Sequence, residues 1–104
     1  MKKKSLKKIF GKIRQKYYYI SNETITNKIK AWKFLSGIEN TSRPKYQKKI
    51  NWIYRDGILY VMTYLPGHLI GAKGRLINDF ENSLRNENKH FKFIRIVELG
   101  VNYI

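Results

Sequence analysis

Two glycines three positions apart constrain this chain more than any other feature. Gly71-Ala72-Lys73-Gly74 is a G-x-x-G tetrad with one basic residue between its glycines. Glycines this close together interrupt a helix and permit backbone angles that residues with a Cβ avoid. The bare main chain can also approach a phosphate closely, and the amides that open a following helix are free donors at its positive end. By itself, the tetrad is also typical of a simple tight turn between two helices.

The residues before the tetrad predict a buried strand and a short helix. Ile58 to Leu65 is a near-continuous apolar run, which is expected of a central strand. Pro66-Gly67 ends that strand, and Pro66 suits the first turn of a short helix that continues to Ile70.

The residues after the tetrad predict a second helix and a last strand. Ile77, Phe80 and Leu84 recur at helical spacing. The helix is expected to end at Asn86-Glu87-Asn88. Phe91 to Leu99 then predicts a strand whose inward-facing residues are Ile94 and Ile96.

The first half of the chain predicts a helix followed by a strand hairpin. Ser21-Asn22-Glu23 suits a helix start with Asn22 as the N-cap. Gly37 is expected to end this helix. Tyr46 to Tyr54 predicts a strand, and Arg55-Asp56-Gly57 contains the Asp-Gly signal of a hairpin turn. The residues on one face of the predicted helix are Ile25, Ile29, Trp32 and Leu35, and those on one face of the predicted strand are Ile50, Trp52 and Tyr54.

The predicted order of elements is therefore α-β-β-α-α-β. Because two helices separate the last two strands, these strands are expected to be parallel neighbours with a right-handed connection. The fold class expected is α+β, with a three-stranded mixed sheet and all helices packed on one of its faces. Residues 22–104 are expected to form this single domain, and residues 1–21 a basic N-terminal extension.

The charge of the chain indicates what it binds. Its 22 Lys and Arg residues against 7 Asp and Glu give a net charge of +15. A charge this large predicts phosphates or anionic membranes as partners. The chain has no cysteine, which excludes disulfides and thiolate metal sites. No apolar run approaches the ~20 residues of a membrane span.

The first 22 residues contain eight basic residues and no acidic one. Leu6, Ile9, Phe10 and Ile13 follow helical spacing. Three interpretations remain open for this segment: a tail ordered against nucleic acid, a membrane-surface or targeting helix, and a solvated tail. Tyr17 to Ile20 is apolar enough to pack on the domain or against a partner.

The segment from Ile58 to Gly74 resembles the KH domain of the small-subunit ribosomal proteins of the universal S3 family. That family also has an apolar strand that runs into Pro-Gly, two aliphatic residues and a glycine-flanked basic pair. The resemblance extends over roughly Thr24 to Leu99, and it implies a type II KH fold. Residues 1–20 do not match the family's opening segment, and the family has a second domain for which this chain has no counterpart. The chain is therefore expected to be either the N-terminal piece of a split or truncated protein or a stand-alone KH protein.

The resemblance implies RNA as the ligand, held mainly through its backbone by the G-x-x-G loop. The loop glycines would permit close approach, while Lys73 and Arg75 would pair with phosphate. Arg95 and Lys92 lie on the closing strand, where an RNA groove could extend, although ordinary solvated charge explains them equally well. The candidate RNA-binding residues are Gly71, Ala72, Lys73, Gly74, Arg75, His68, Lys92, Arg95, Lys3, Lys4, Lys7 and Lys8.

The function expected from these features is that of an RNA-binding, non-enzymatic constituent of the ribosomal small subunit. Its expected partners are RNA, chiefly rRNA, neighbouring ribosomal proteins, and a separate chain that supplies the second domain. The alternative is a stand-alone KH protein that binds messenger or small RNA in a phage or bacterium. No P-loop, nucleophile elbow or metal-ligand cluster is present in the sequence, so no enzyme activity, metal or cofactor is expected.

Residue usage predicts where the protein acts. Ile, Lys, Asn and Tyr are abundant, whereas alanine occurs only at Ala31 and Ala72. This bias is typical of an AT-rich coding genome. The expected location is a ribosome, either in a mitochondrion or in the cytoplasm of an AT-rich bacterium, and membrane binding is the less favoured alternative.

Overall fold

Three α-helices and a three-stranded sheet make up residues 19–100, the part of the chain that this computed structural model describes. The elements are β1 (Ile50–Arg55), β2 (Ile58–Thr63), β3 (Phe93–Glu98), α1 (Asn22–Ser36), α2 (Pro66–Ile70) and α3 (Arg75–Glu87). Short 3₁₀ turns lie at Ile38–Asn40, Lys45–Lys48 and Ala72–Gly74. The predicted α+β class with a mixed sheet is confirmed.

The hairpin between β1 and β2 forms at the predicted Asp-Gly turn. Asp56 and Gly57 both have positive φ, at 53° and 82°. Positive φ at both central residues is the requirement of a type I′ turn, whose twist matches that of the flanking strands. The turn sets the register, in which Arg55 pairs with Ile58.

Strand β2 occupies the centre of the sheet. It pairs antiparallel with β1 and parallel with β3, in the order β1-β2-β3. The parallel pair is connected through α2 and α3, as expected for a crossover that contains helices. The two helices α2 and α3 therefore lie between β2 and β3 in the sequence, and α2 connects the central strand to the loop that joins the two helices.

One face of the sheet and the three helices enclose a single core. Alternate residues of β2, namely Leu59, Val61 and Thr63, are buried. The same core cluster contains Ile94 of β3. Its helical members are Ile25, Ile29, Trp32, Leu69, Phe80 and Leu84. Partly buried Ile50, Trp52 and Tyr54 pack against it, as the alternation in β1 predicted.

The N-cap of helix α1 lies one residue earlier than the sequence predicts. Ser21, not Asn22, is the N-cap, and its side-chain oxygen accepts a hydrogen bond from the Thr24 amide at 3.1 Å. The predicted stripe also ends at Trp32, because Leu35 is 62% exposed. At 3.6 residues per turn, each step of three residues falls about 60° short of a full turn. The step from Trp32 to Leu35 therefore rotates Leu35 out of the core.

The strands are shorter than predicted. Tyr46 lies in the 3₁₀ turn Lys45–Lys48, where its ring contacts Tyr64 edge to face at 5.5 Å between centroids. Phe91 is buried but precedes β3. Phe91 packs in the core and Tyr46 packs against Tyr64. The sequence pattern does not distinguish apolar residues that pack in this way from apolar residues of a strand. Ile20 is also buried in the core, whereas Tyr19 is exposed.

Candidate functional site

The G-x-x-G loop has the backbone conformation that its glycines permit. Gly71 has φ 75° and ψ 175°, and Gly74 has φ 75° and ψ 17°. Lys73 between them also has a positive φ, of 57°, which is uncommon for a residue with a Cβ. The Gly74 amide donates to the Gly71 carbonyl at 3.2 Å and closes the loop. Three of the four loop residues are therefore in left-handed or extended positive-φ conformations.

Gly71 also lies against the helix that follows it. A Cβ added at Gly71 would be 2.9 Å from Cγ of Leu76, whereas one added at Gly74 would have no atom closer than 3.7 Å. The two glycines thus have different roles. Gly71 lets the main chain turn closely over Leu76, while Gly74 allows the left-handed residue from which α3 begins.

The outer surface of the loop is open. Ala72 and Lys73 are exposed, and no buried residue occurs between Gly71 and Gly74. No side chain caps the N-terminus of α3. The amides of its first turn are thus not occupied by a side-chain acceptor, and the partial positive charge of the helix end faces the loop.

Buried contacts fix the chain on both sides of this open loop. Leu69, two residues before Gly71, is fully buried. Its carbonyl oxygen accepts a buried hydrogen bond from Nε1 of Trp32 at 2.8 Å. The Trp32 ring stacks on Phe80 of α3, with ring centroids 5.0 Å apart. One tryptophan therefore ties α1 to the helices on both sides of the loop, a contact for which the sequence gives no specific signal.

The charge around the loop is positive. No Asp or Glu occurs between Asp56 and Asp79, whereas Lys73 and Arg75 both lie in this stretch and are exposed. Residues 19–100 carry 14 Lys and Arg residues against 7 Asp and Glu residues, a net charge of +7. The loop and its flanking residues 57–78 thus carry two cations and no carboxylate.

The structure separates the other candidate residues from one another. His68 is exposed on α2, next to buried Leu69. Arg95 is exposed on β3 at a position that alternates with inward-facing Ile94 and Ile96, so it lies on the sheet face away from the helices. Lys92 precedes β3, where its amide donates to the Gly57 carbonyl and its own carbonyl accepts from Arg85. The loop and Arg95 therefore form two surfaces rather than one.

The candidates in the N-terminal segment lie outside the described residues. These are Lys3, Lys4, Lys7 and Lys8, together with the predicted apolar stripe of Leu6, Ile9, Phe10 and Ile13. Their contribution to binding stays a prediction from the sequence.

Sequence reasoning missed a cavity at the end of α1. It has a volume of about 240 Å³ and is lined by Lys30, Lys33, Phe34, Gly37, Glu39 and Asn40. Phe34 is 82% exposed. A hydrogen bond from Lys33, at 2.6 Å, lowers the pKa of the Glu39 carboxyl. The carboxylate is thus already paired, and the cavity contains none of the predicted site residues.

The described part of the chain has neither a metal site nor a membrane-spanning helix. Residues 19–100 contain no group of three or more His, Asp or Glu side chains arranged to hold a metal ion. Within the same residues, no helix combines the length and the apolar character needed to cross a bilayer.

The candidate binding surface is therefore the G-x-x-G loop with Lys73 and Arg75. The hydrogen-bonded pair of Trp32 and Leu69 fixes the chain next to this loop. No protein-family model, curated protein or solved structure matches the chain.

Proposed function

We propose that this protein is an RNA-binding module with a type II KH fold that grips RNA backbone through its G-x-x-G loop. The observation that carries the proposal is the conformation of the loop itself: positive φ at Gly71, Lys73 and Gly74, directly before an uncapped helix. This conformation leaves the Lys73 side chain exposed between the two glycines. An exposed cation beside the positive end of a helix that no side chain caps suits a phosphate.

The mechanism is electrostatic and steric rather than chemical. A phosphate can sit against the bare main chain at Gly71 and Gly74, near the positive end of α3. Ala72 keeps the tip of the loop narrow, and Lys73 and Arg75 neutralise the phosphates on either side. Such contacts fix the position of the strand without reading its bases. Sequence preference, if the protein has one, must come from another surface.

The resemblance of Ile58 to Gly74 supports a more specific assignment. We propose that the protein is a structural constituent of the ribosomal small subunit, with rRNA and neighbouring ribosomal proteins as its partners. A large anionic particle also suits a net charge of +15, since a free protein with that charge would bind nucleic acid promiscuously. The AT-rich residue usage agrees with a mitochondrial or AT-rich bacterial ribosome.

The loop is tested by the double variant Ala72→Asp/Lys73→Asp in the full chain. Both glycines stay, so the loop should fold as before, while two carboxylates now face the RNA backbone. We expect affinity for a labelled single-stranded RNA to fall at least tenfold, which is about 1.4 kcal/mol, with an unchanged melting curve.

The chain offers a closely matched control for this variant. Lys30→Asp/Ala31→Asp replaces the same two residue types, and both positions are exposed on α1. The net charge is then identical in the two double variants. If both lose affinity equally, the effect is one of overall charge, and the G-x-x-G clamp is wrong as a mechanism.

A deletion of residues 1–16 distinguishes the RNA tail from a membrane helix. If this segment contacts phosphate, its loss should flatten the slope of log affinity against log salt by several units. Binding to vesicles of zwitterionic lipid, which do not attract the tail by net charge, should not change. An unchanged slope together with lost vesicle binding would instead support membrane targeting by this segment.

A further inference from the structure

The sheet has a face that no described element covers. The helices pack on the face of Leu59, Val61 and Ile94, so the alternate positions of all three strands point the other way. We call these positions the open face. Three apolar side chains on it are markedly exposed, namely Ile53 at 56%, Phe93 at 43% and Val97 at 39%. A contiguous exposed surface of this kind on a small domain marks a binding surface.

The strand register places Tyr60 at the centre of the open face. Tyr60 pairs with Ile53 of β1 and with Arg95 of β3. Phe93, two residues before Arg95, is the diagonal neighbour of Tyr60. Diagonal neighbours across a strand pair lie about 7–8 Å apart, within reach of aromatic side chains. Two aromatic residues and a guanidinium are thus grouped on adjacent strands.

The charge on the open face is entirely positive. Neither Asp nor Glu occupies an open-face position of the three strands, whereas Arg55 and Arg95 both do. Among residues 19–100, no hydrogen bond or ion pair engages the Arg95 guanidinium. Within the same residues, the Arg55 guanidinium reaches only the neighbouring Asp56, at 3.7 Å, and both side chains are about 80% exposed. Such an exposed pair is weak and leaves Arg55 available.

We propose that the open face is a second RNA surface, which takes unpaired bases on Phe93 and Tyr60 and phosphate on Arg95 and Arg55. Aromatic rings on neighbouring strands, with basic residues beside them, provide stacking that any base can use. This inference rests on the proposed function for the class of partner, but it uses none of the residues of the G-x-x-G loop. The loop would hold the backbone, and the open face would select single strands over duplexes.

Charge argues against a second copy of this chain as the occupant. Face-to-face packing of two copies would bring together two surfaces that each contain arginine and no carboxylate. The like-charge contact would add to the repulsion between two chains of net charge +15. RNA supplies both an apolar base face for the rings and the negative charge that the arginines lack.

The test uses the full chain and a fluorescein-labelled 12-nucleotide oligouridine, with a 12-base-pair RNA duplex as the second probe. The variant is Phe93→Ala/Arg95→Ala. Its matched control is Phe34→Ala/Arg43→Ala, which removes an exposed phenylalanine and an exposed arginine far from β3 in sequence and gives the same net charge. We expect the affinity for the oligouridine to fall about tenfold more in the variant than in the control. The affinity for the duplex should fall equally in both, because paired bases are not free to stack.

A second readout separates stacking from charge. Phe93→Ala alone should weaken oligouridine binding without changing the slope of log affinity against log salt, because no phosphate contact is lost. Arg95→Ala alone should reduce the slope by about one. If Phe93→Ala leaves affinity unchanged, the open face does not stack bases and the inference is overturned.

The remaining outcomes are also decisive. Loss of binding in Ala72→Asp/Lys73→Asp but not in the Phe93/Arg95 variant would leave the proposed function in place and refute the second surface. The reverse would refute the loop clamp and support the second surface. If the unmodified chain sediments as a dimer that Phe93→Ala dissociates, with oligouridine binding intact, the open face is a protein interface and the inference is wrong.

Discussion

The interior at Leu69 and the G-x-x-G loop are neighbours in the sequence, yet they differ in burial, backbone conformation and charge. Trp32 and Leu69 are fully buried and joined by a 2.8 Å hydrogen bond. Lys73, four residues after Leu69, is exposed in a left-handed conformation. The interior has almost no freedom to change, whereas the loop presents main chain and charge to solvent. A short helix, α2, ends at the boundary between the two.

The difference shows how a flexible residue type can form a defined surface. Two glycines in an unsupported loop would sample many conformations. Here the chain is fixed immediately before the loop by Leu69 and soon after it by Phe80, which stacks on the same tryptophan. The loop therefore has few conformations left to adopt. Substitutions on the two sides of the boundary should thus affect different properties, stability in the interior and binding in the loop.

The largest expected effect on stability is at Phe80. Phe80→Ala removes the ring that stacks on Trp32 and leaves a cavity in the core, so the free energy of unfolding should fall by about 3–5 kcal/mol. Such a loss approaches the whole stability of a small domain. Urea unfolding measures it, and Phe34→Ala is the control, since that ring is 82% exposed. Equal losses in the two variants would mean that the stacked interior does not stabilise the fold.

The next largest effect should fall on the boundary itself, at Gly71. Gly71→Ala places a Cβ 2.9 Å from Leu76 Cγ, at a φ and ψ that are nearly exclusive to glycine. The free energy of unfolding should fall by more than ~3 kcal/mol if Leu76 cannot move, and by about 1–3 kcal/mol if it can. Gly74→Ala meets no close atom and should cost about 1–2 kcal/mol, for its left-handed backbone alone. Thermal or urea unfolding of both variants gives the order. A larger cost at Gly74 would contradict the different roles of the two glycines.

The smallest effect should come from the edge of the interior, at Tyr54. The Tyr54 hydroxyl is buried and has no hydrogen-bond partner among the described residues, and burial raises the pKa of Tyr54. Tyr54→Phe should therefore increase the free energy of unfolding by about 1 kcal/mol at neutral pH.

The effect of Tyr54 should also depend on pH. Because the neutral phenol is favoured in the folded state, the wild-type protein should lose stability as the pH rises from about 10 through the raised pKa of Tyr54. Tyr54→Phe lacks this loss, so the difference between the two proteins should widen above about pH 10. Urea unfolding at pH 7 and in that alkaline range measures both. A difference that stays constant with pH would show that the phenol is solvated.

Local chemistry made much of the fold predictable. The Asp-Gly turn, the alternation in β1, the apolar run of β2 and the Pro-Gly start of α2 each act over a few residues, and each occurs where predicted. The errors lie at the ends of elements. Ser21 rather than Asn22 caps α1, because either side chain can accept the capping hydrogen bond and the choice depends on where packing starts the helix. Leu35 is expected on the buried stripe and Tyr46 in β1 because both are apolar, and apolar character alone does not distinguish buried from exposed residues or a strand from a 3₁₀ turn.

The amino-acid sequence by itself determined the loop and its charge. Two glycines, one lysine and a stretch without carboxylates need no tertiary contact to be recognised, since backbone permissiveness and formal charge are properties of the residues. Only the tertiary structure decided which surfaces these residues join. It separated Arg95 from the loop, because the helices on either side of the loop pack on the face of Ile94 and Ile96, whereas Arg95 lies on the open face. It also joined Trp32 to Leu69, a contact across 37 positions that depends on how α1 packs and that no local pattern specifies.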